Sequence, residues 1–375
     1  MKIPGSMTAC LVALLALEAA AQTPPYPASP VIAGITWDEP STVVRRAPGS
    51  DNWPTTWGPD GHLYTCWGDG NGFGDLRRGL GVARLEGAPE SFKGVNVWGV
   101  AEGYWGGKSY GLLSLEGILF MWFGPEATWK SSTETRLGWS SDLGKSWEFS
   151  EVFFRYPDGV SLPNFLNFGK DCAGARDEYV YSYAYDASKG ADGPWTQSSG
   201  PWTNITLMRV PKGQMRNRAA YEFFRGIDTA GSPLWTDNVA KRTAVFRDPE
   251  GGVQLPSACY HAAIKRYFLV IPNGTPARPY GGLGIYDAPE PWGPWTTVYH
   301  TKSFLGSTNL FFANLPMKWI SADGTTLYLI FTGYGSDPVA QDAYQHVRGV
   351  LRRHTAAAAG ADLRDSSTEQ TPERR

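Results

Sequence analysis

The sequence predicts an all-β chain, a five-bladed β-propeller with four-stranded antiparallel blades. Three observations predict it. A strand–turn–strand pattern recurs five times, Gly (44) and Pro (28) are abundant enough for many short strands joined by turns, and helix-like apolar periodicity is scarce. The 375 residues are long for one compact core but suit a fold that adds core blade by blade.

Taken from the N-terminus, residues 1–21 read as a secretory signal. Lys2 supplies the charge, Met7 to Leu17 the apolar stretch, and Ala19-Ala20-Ala21 the small-residue cleavage site. The expectation is an exported protein, extracellular or periplasmic, with no membrane span because the apolar stretch is too short. Residues 22–40 are Pro-rich and read as an extended lead-in to a propeller spanning 41–354. Its five repeats are SDNWPTTWGPDGHLYTCWGDG (50–70), KSYGLLSLEGILFMWFG (108–124), NFLNFGKDCAGARDEYVYSYAYD (164–186), PSACYHAAIKRYFLVIP (256–272) and NLFFANLPMKWISADGTTLYLIFTG (309–333). Central turns are expected near Gly61, Gly117, Asp177, Lys265 and Gly324, at spacings of 56, 60, 88 and 59 residues. Blade-sized periods account for three of these, and the long one contains a Gly/Pro/Ser-rich insertion at 186–202, read as a loop. The segments TNITLMRVP and TAVFRD supply outer strands. Ser140 to Trp147 fits the Asp-box hairpin S-x-D-x-G-x-x-W, which gives Asp142 a structural role in a turn and removes it as a catalytic candidate. Residues 355–375 are low-complexity and charged, a disordered tail.

Composition also excludes classes. A net charge of −2 gives no electrostatic case for binding nucleic acid or an anionic membrane. Three of the four cysteines (Cys66, Cys172, Cys259) lie beyond the signal, too few and too scattered for a disulfide framework or a Cys-based zinc site. No His pair has zinc spacing, and no phosphate or dinucleotide loop occurs, so neither a metal nor a cofactor is expected. Aromatics make up 14% of the chain. Most are expected to pack between sheets, and the remainder to be platforms for sugar C–H faces. The expected partner is a polysaccharide or oligosaccharide, and the expected state a monomer.

SDNWPTTWGPDGHLYTCWGDG, MRVPKGQMRNRAAYEFFRG (208–226) and FFANLPMKWISADGTTLYLIFTG resemble the uncharacterised domain family numbered 4185, over roughly residues 40–350. The resemblance implies an exported bacterial protein whose fold is like the five-bladed glycosidase propellers, with endo-D-arabinanases among the relatives. It places Asp51 where the first-blade base of such glycosidases lies. The motif SDNWP carries one Asp at that strand start and no second acid beside it.

In a propeller the residues that open each inner strand converge at the axis. The openings give Asp51 with Asn52 and Trp53, Lys108 with Tyr110, Asn164 with Asn167, Tyr260 with His261, and Asn314 with Lys318. Glycoside hydrolysis needs two carboxyl groups. Asp51 ranks first, and Glu134, beside Arg136, is the first choice for its partner. Asp69, Glu222, Glu102 and Asp171 are weaker. His261 with Tyr260 suggests a second chemistry, lyase elimination from a uronic-acid polymer with lysines neutralising the carboxylate. A non-catalytic carbohydrate-binding propeller is the third reading.

Overall fold

The chain is seen in a computed structural model that describes residues 23–101, 107–124, 134–155, 158–186, 203–249, 255–275, 278–333, 337 and 339–355. The signal (1–21), the Ser/Gly-rich stretch from 187 to 202, Glu102 and the tail from 356 onward lie outside the described residues.

Among the described residues, every regular element longer than a single 3₁₀ turn is a strand. In chain order these are β1 (Ile32–Trp37), β2 (Val44–Arg46), β3 (Thr55–Trp57), β4 (Leu63–Gly70), β5 (Arg78–Glu86) and β6 (Lys93–Val100). Next come β7 (Lys108–Leu115), β8 (Ile118–Gly124), β9 (Glu134–Ser140), β10 (Glu148–Phe149) and β11 (Phe154–Arg155). The middle of the chain forms β12 (Ser161–Asn167), β13 (Tyr179–Tyr185), β14 (Asn204–Pro211), β15 (Glu222–Ile227), β16 (Pro233–Thr236) and β17 (Ala244–Arg247). The last are β18 (Ser257–His261), β19 (Arg266–Thr275), β20 (Arg278–Ala288), β21 (Thr296–Thr301), β22 (Phe312–Asn314), β23 (Thr326–Thr332) and β24 (Tyr344–Arg353).

Hydrogen bonding joins neighbours in sequence into antiparallel meanders: β3-β4-β5-β6, β7-β8-β9-β10, β12-β13-β14-β15-β16 and β18-β19-β20-β21. The last two are linked by a short parallel bridge at Leu166↔Ala258 and Asn167↔Cys259, where their first strands run side by side. The remaining sheet runs β22-β23-β24-β1, so its outer strand comes from the start of the chain. This corrects the reading of 22–40 as a lead-in outside the fold. Ile32 to Trp37 pair with Arg353 to Gly349 and bury Ile32 and Ile35, which ties the two ends of the chain together.

All five expected turns fall between the first and second strands of a meander. Gly61, Gly117 and Gly324 have φ of 86°, 82° and 75°, a backbone that favours glycine. Two turns share a clasp. Asp60 accepts from the His62 amide and the Tyr64 hydroxyl, and Asp177 accepts from the Tyr179 amide and the Tyr181 hydroxyl. Asp142 accepts from Ser140 Oγ, from the amides of Lys145 and Ser146 and from Ser146 Oγ, which holds its carboxyl down at about 2. That is a turn-stabilising role.

The aromatics pack mainly between sheets. Trp53 is 0% exposed, stacks on Trp67 (6.2 Å, 23°) and meets Tyr344 edge-on (5.3 Å, 89°). Tyr110 is likewise buried in an apolar cluster. Both were expected at the sugar-binding face, and the structure corrects this: they are core. Trp53→Ala is expected to destabilise the fold by about 3–5 kcal/mol, the usual range for emptying a buried Trp site. A denaturant melt checks this, and a loss under about 1 kcal/mol would contradict a core role.

Candidate functional site

The first strands β3, β7, β12, β18 and β22 pack successively against one another, and each presents one edge with no ladder partner inside its own meander. Such edges need other partners for their backbone groups. Side chains supply them. Asn167 Nδ2 donates to the Leu112 carbonyl (3.3 Å), and Asn314 Nδ2 donates to the Trp53 carbonyl (2.9 Å). Thr56 Oγ1 donates to Asn167 Oδ1 (2.7 Å) and accepts from the Ser114 amide. Asn164, Asn167 and Asn314, together with Thr56, Ser257 and Met317, line a shared cavity of about 20 Å³. That is room for about one water and far too small for a sugar ring. Asn167 and Asn314 therefore act as stitches between the first strands, and Asn164 lines the same small cavity.

The ionisable cluster sits where the first strands begin. Asp51 precedes β3 and forms a two-bond antiparallel bridge with Gly68 on β4 (3.0 and 2.9 Å). Lys108 opens β7 and places Nζ 3.1 Å from both Asp51 oxygens. The same ammonium contacts Asp69 Oδ2. Gly68 makes this possible, since a Cβ there would lie 2.6 Å from both Asp51 Oδ1 and Lys108 Cδ. Asp51 and Lys108 side chains are only 14% and 11% exposed, whereas Asp69 is 45% exposed.

A third carboxyl joins them. Asp342 lies just before β24, and its carbonyl accepts from the Gly49 amide, which draws together the 342 and 49–51 segments. Its Oδ1 is buried and makes no hydrogen bond among the described residues. Burial and then the charge of Asp51 push the Asp342 carboxyl up to about 6, with Asp69 adding to the effect and Lys108 and Arg77 opposing it. Burial also pushes Asp51 upward, against the pull of Lys108. Burial works against the charge of Lys108, but Asp51 and Asp69 outweigh it and its net shift is upward. The arrangement is two poised, half-dry carboxyls with one ammonium between two of the three acids.

Other expected residues lie elsewhere. Glu134 opens β9, the third strand of its meander, and is held by Arg136 Nε at 2.8 Å and by Arg155. It does not sit in the apolar setting expected for the partner acid. Tyr260 and His261 close β18, roughly 13 Å along the strand from its start at 3.3 Å per residue. Tyr260 packs on Phe168 and Tyr267. His261 is buried with Nε2 3.1 Å from the carbonyl of Gly324, in the turn between β22 and β23. Lys318 follows β22 and feels the charge of Asp60 in the β3–β4 turn, at that same far end. Asn52 is 1% exposed with φ 61°, and its Oδ1 makes no hydrogen bond. The expected convergence thus holds for Asp51 and Lys108. His261, Tyr260 and Lys318 depart from it because the strand runs away from the cluster. Among the described residues no group of three His, Cys, Asp or Glu side chains is placed to hold a metal, and no helix is long and apolar enough to cross a membrane.

No protein-family model matches the sequence, so the resemblance to the family numbered 4185 gains no support there, and no curated protein matches it. Among solved structures, a putative hydrolase from Bacteroides ovatus ATCC 8483 is similar at a TM-score of 0.52 and 11% identity, over 81% of this chain and 87% of that one. A GH43_1 enzyme from Xanthomonas citri gives 0.49 and 13%, over 85% and 93%. The catalytic domain of a GH62 α-L-arabinofuranosidase from Coprinopsis cinerea gives 0.46 and 9%, over 82% and 92%. The first likeness establishes fold alone, and the other two are too distant to argue from. The arrangement of antiparallel meanders with their first strands packed in succession is of the β-propeller type.

Proposed function

We propose that this chain is an exported glycoside hydrolase built on five blades, with Asp342 as general acid and Asp51 as the base that activates water. The observation that carries the reading is the coupling of two partly buried carboxyls of unlike surroundings at one end of the first strands. Asp342 has no partner at Oδ1 and an upward shift to about 6, while Asp51 is held by Lys108. Acid and base roles are separated in this way whenever neighbouring carboxyls sit in different environments. In the reaction Asp342 gives its proton to the leaving glycosidic oxygen as the C–O bond breaks. Asp51 takes a proton from the water that adds to the anomeric carbon. The substrate is a polysaccharide or oligosaccharide.

The lyase alternative loses Lys108, since His261 and Tyr260 stand at the far end of β18 from it, and there His261 is buried against the Gly324 carbonyl while Tyr260 packs on Phe168 and Tyr267. The test is incubation of the protein, freed of its first 21 residues, with a panel of plant and bacterial polysaccharides. New reducing ends without unsaturated products are expected. Unsaturated products would contradict hydrolysis, and binding without turnover on any glycan would make this a binding propeller.

A further inference from the structure

We infer that Asp69 is a positioning residue which, by sharing the Lys108 ammonium with Asp51, sets the pH range in which the Asp51–Asp342 pair works. The inference rests on the acid–base reading above and deepens it. Asp69 belongs to the stretch Trp67-Gly68-Asp69-Gly70, at the end of β4. Its φ is 51°, a left-handed backbone that an Asp adopts at some cost. The flanking glycines are required by close approach. A Cβ at Gly68 would collide with Asp51 and Lys108, and one at Gly70 would lie 2.2 Å from the carbonyl oxygen of Gly49. The strand end is therefore pressed against the loop that carries Asp51, and it brings the Asp69 carboxylate onto the Lys108 ammonium.

One ammonium cannot neutralise two carboxylates at once. Lys108 is nearly buried and meets both oxygens of Asp51, yet it is also paired with the half-exposed Asp69. The charged groups that act on this cluster are Asp51, Asp69, Asp342, Lys108 and Arg77. With Asp69 ionised, part of the Lys108 field is spent outward, and a negative charge is added near both reacting carboxyls. Both protons are then held to higher pH than they would be without Asp69.

The variants are Asp69→Asn, which keeps shape and tolerates the left-handed backbone, and Asp69→Gly, which relieves it. Titration of the protein carrying ¹³Cγ-labelled aspartate reads the carboxyl midpoints directly and needs no turnover. Both variants are expected to lower the Asp51 and Asp342 midpoints by about one pH unit, the scale of one neighbouring charge in a half-dry site. The pH–rate profile should move to acid on both limbs by the same amount. Midpoints unmoved in both folded variants would overturn the inference, whatever the activity. Midpoints that move in a protein that hydrolyses no glycan would uphold the electrostatic role and sink the hydrolase reading alone.

Discussion

Asp342→Asn is expected to lower turnover of a natural glycan by at least about a hundredfold, the lower end of the range for losing one acid–base group. The amide keeps the shape and cannot give a proton to the leaving oxygen. An aryl glycoside with an acidic phenol as leaving group needs no such proton, so its turnover should fall much less. The same variant should be more stable than the parent near neutral pH. A carboxyl whose proton is held up to about 6 in the folded chain stabilises the fold fully below the usual carboxylate value near 4. That contribution is lost as pH rises through about 6, where the buried charge must form. Removing the charge should therefore raise the melting temperature by a few degrees at pH 7.5 and by little at pH 4. Loss of activity together with a gain in stability is what a functional carboxyl in a poorly solvated place produces. A drop in stability at pH 7.5 would show that Asp342 holds the fold together through contacts other than those seen.

Asp51→Asn is the second large effect. It also is expected to cost at least about a hundredfold, but equally for natural and aryl substrates, because activation of water is needed for both. The Lys108 ammonium then faces an amide at 3.1 Å and keeps Asp69. Binding of the glycan, read by calorimetry, should change little. If the aryl substrate were turned over as fast by Asp51→Asn as by the parent, Asp51 would have no part in the chemistry.

Much of the fold was legible in the sequence. Gly61, Gly117 and Gly324 mark turns because only particular backbones reverse a strand so tightly, and the residues needed for that are local. The meeting of Asp51 and Lys108 was legible for a related reason: Lys108 opens a first strand and Asp51 lies just before one, and strand openings face one end of the stacked sheets. Asp342 was not. It sits in the connection before β24, 291 residues along the chain from Asp51, and nothing in Gln341-Asp342-Ala343 distinguishes it from a solvated loop acid. Its character comes from burial and from Asp51, both of which are tertiary.

The corrected residues fail for equally specific reasons. In the fourth repeat the residue at the start of the strand is Ser257, and counting the opening from Tyr260 and His261 takes the far end for the near one. Trp53 and Tyr110 have the composition of a sugar platform, but their burial against neighbouring sheets is decided by the packing of residues distant in sequence. Glu134 was placed by its neighbour Arg136, and that same neighbour holds it in an ion pair.

The central claim is that Asp51 and Asp342 are a coupled base and acid. The pH dependence of kcat/KM between pH 4 and pH 8, for the parent and for Asp342→Asn on a natural oligosaccharide whose leaving oxygen needs a proton, tests it most directly. The parent is expected to give a bell whose alkaline limb falls near pH 6, and the variant a profile in which that limb is gone while the acid limb remains. An alkaline limb that persists unchanged in Asp342→Asn would contradict the assignment.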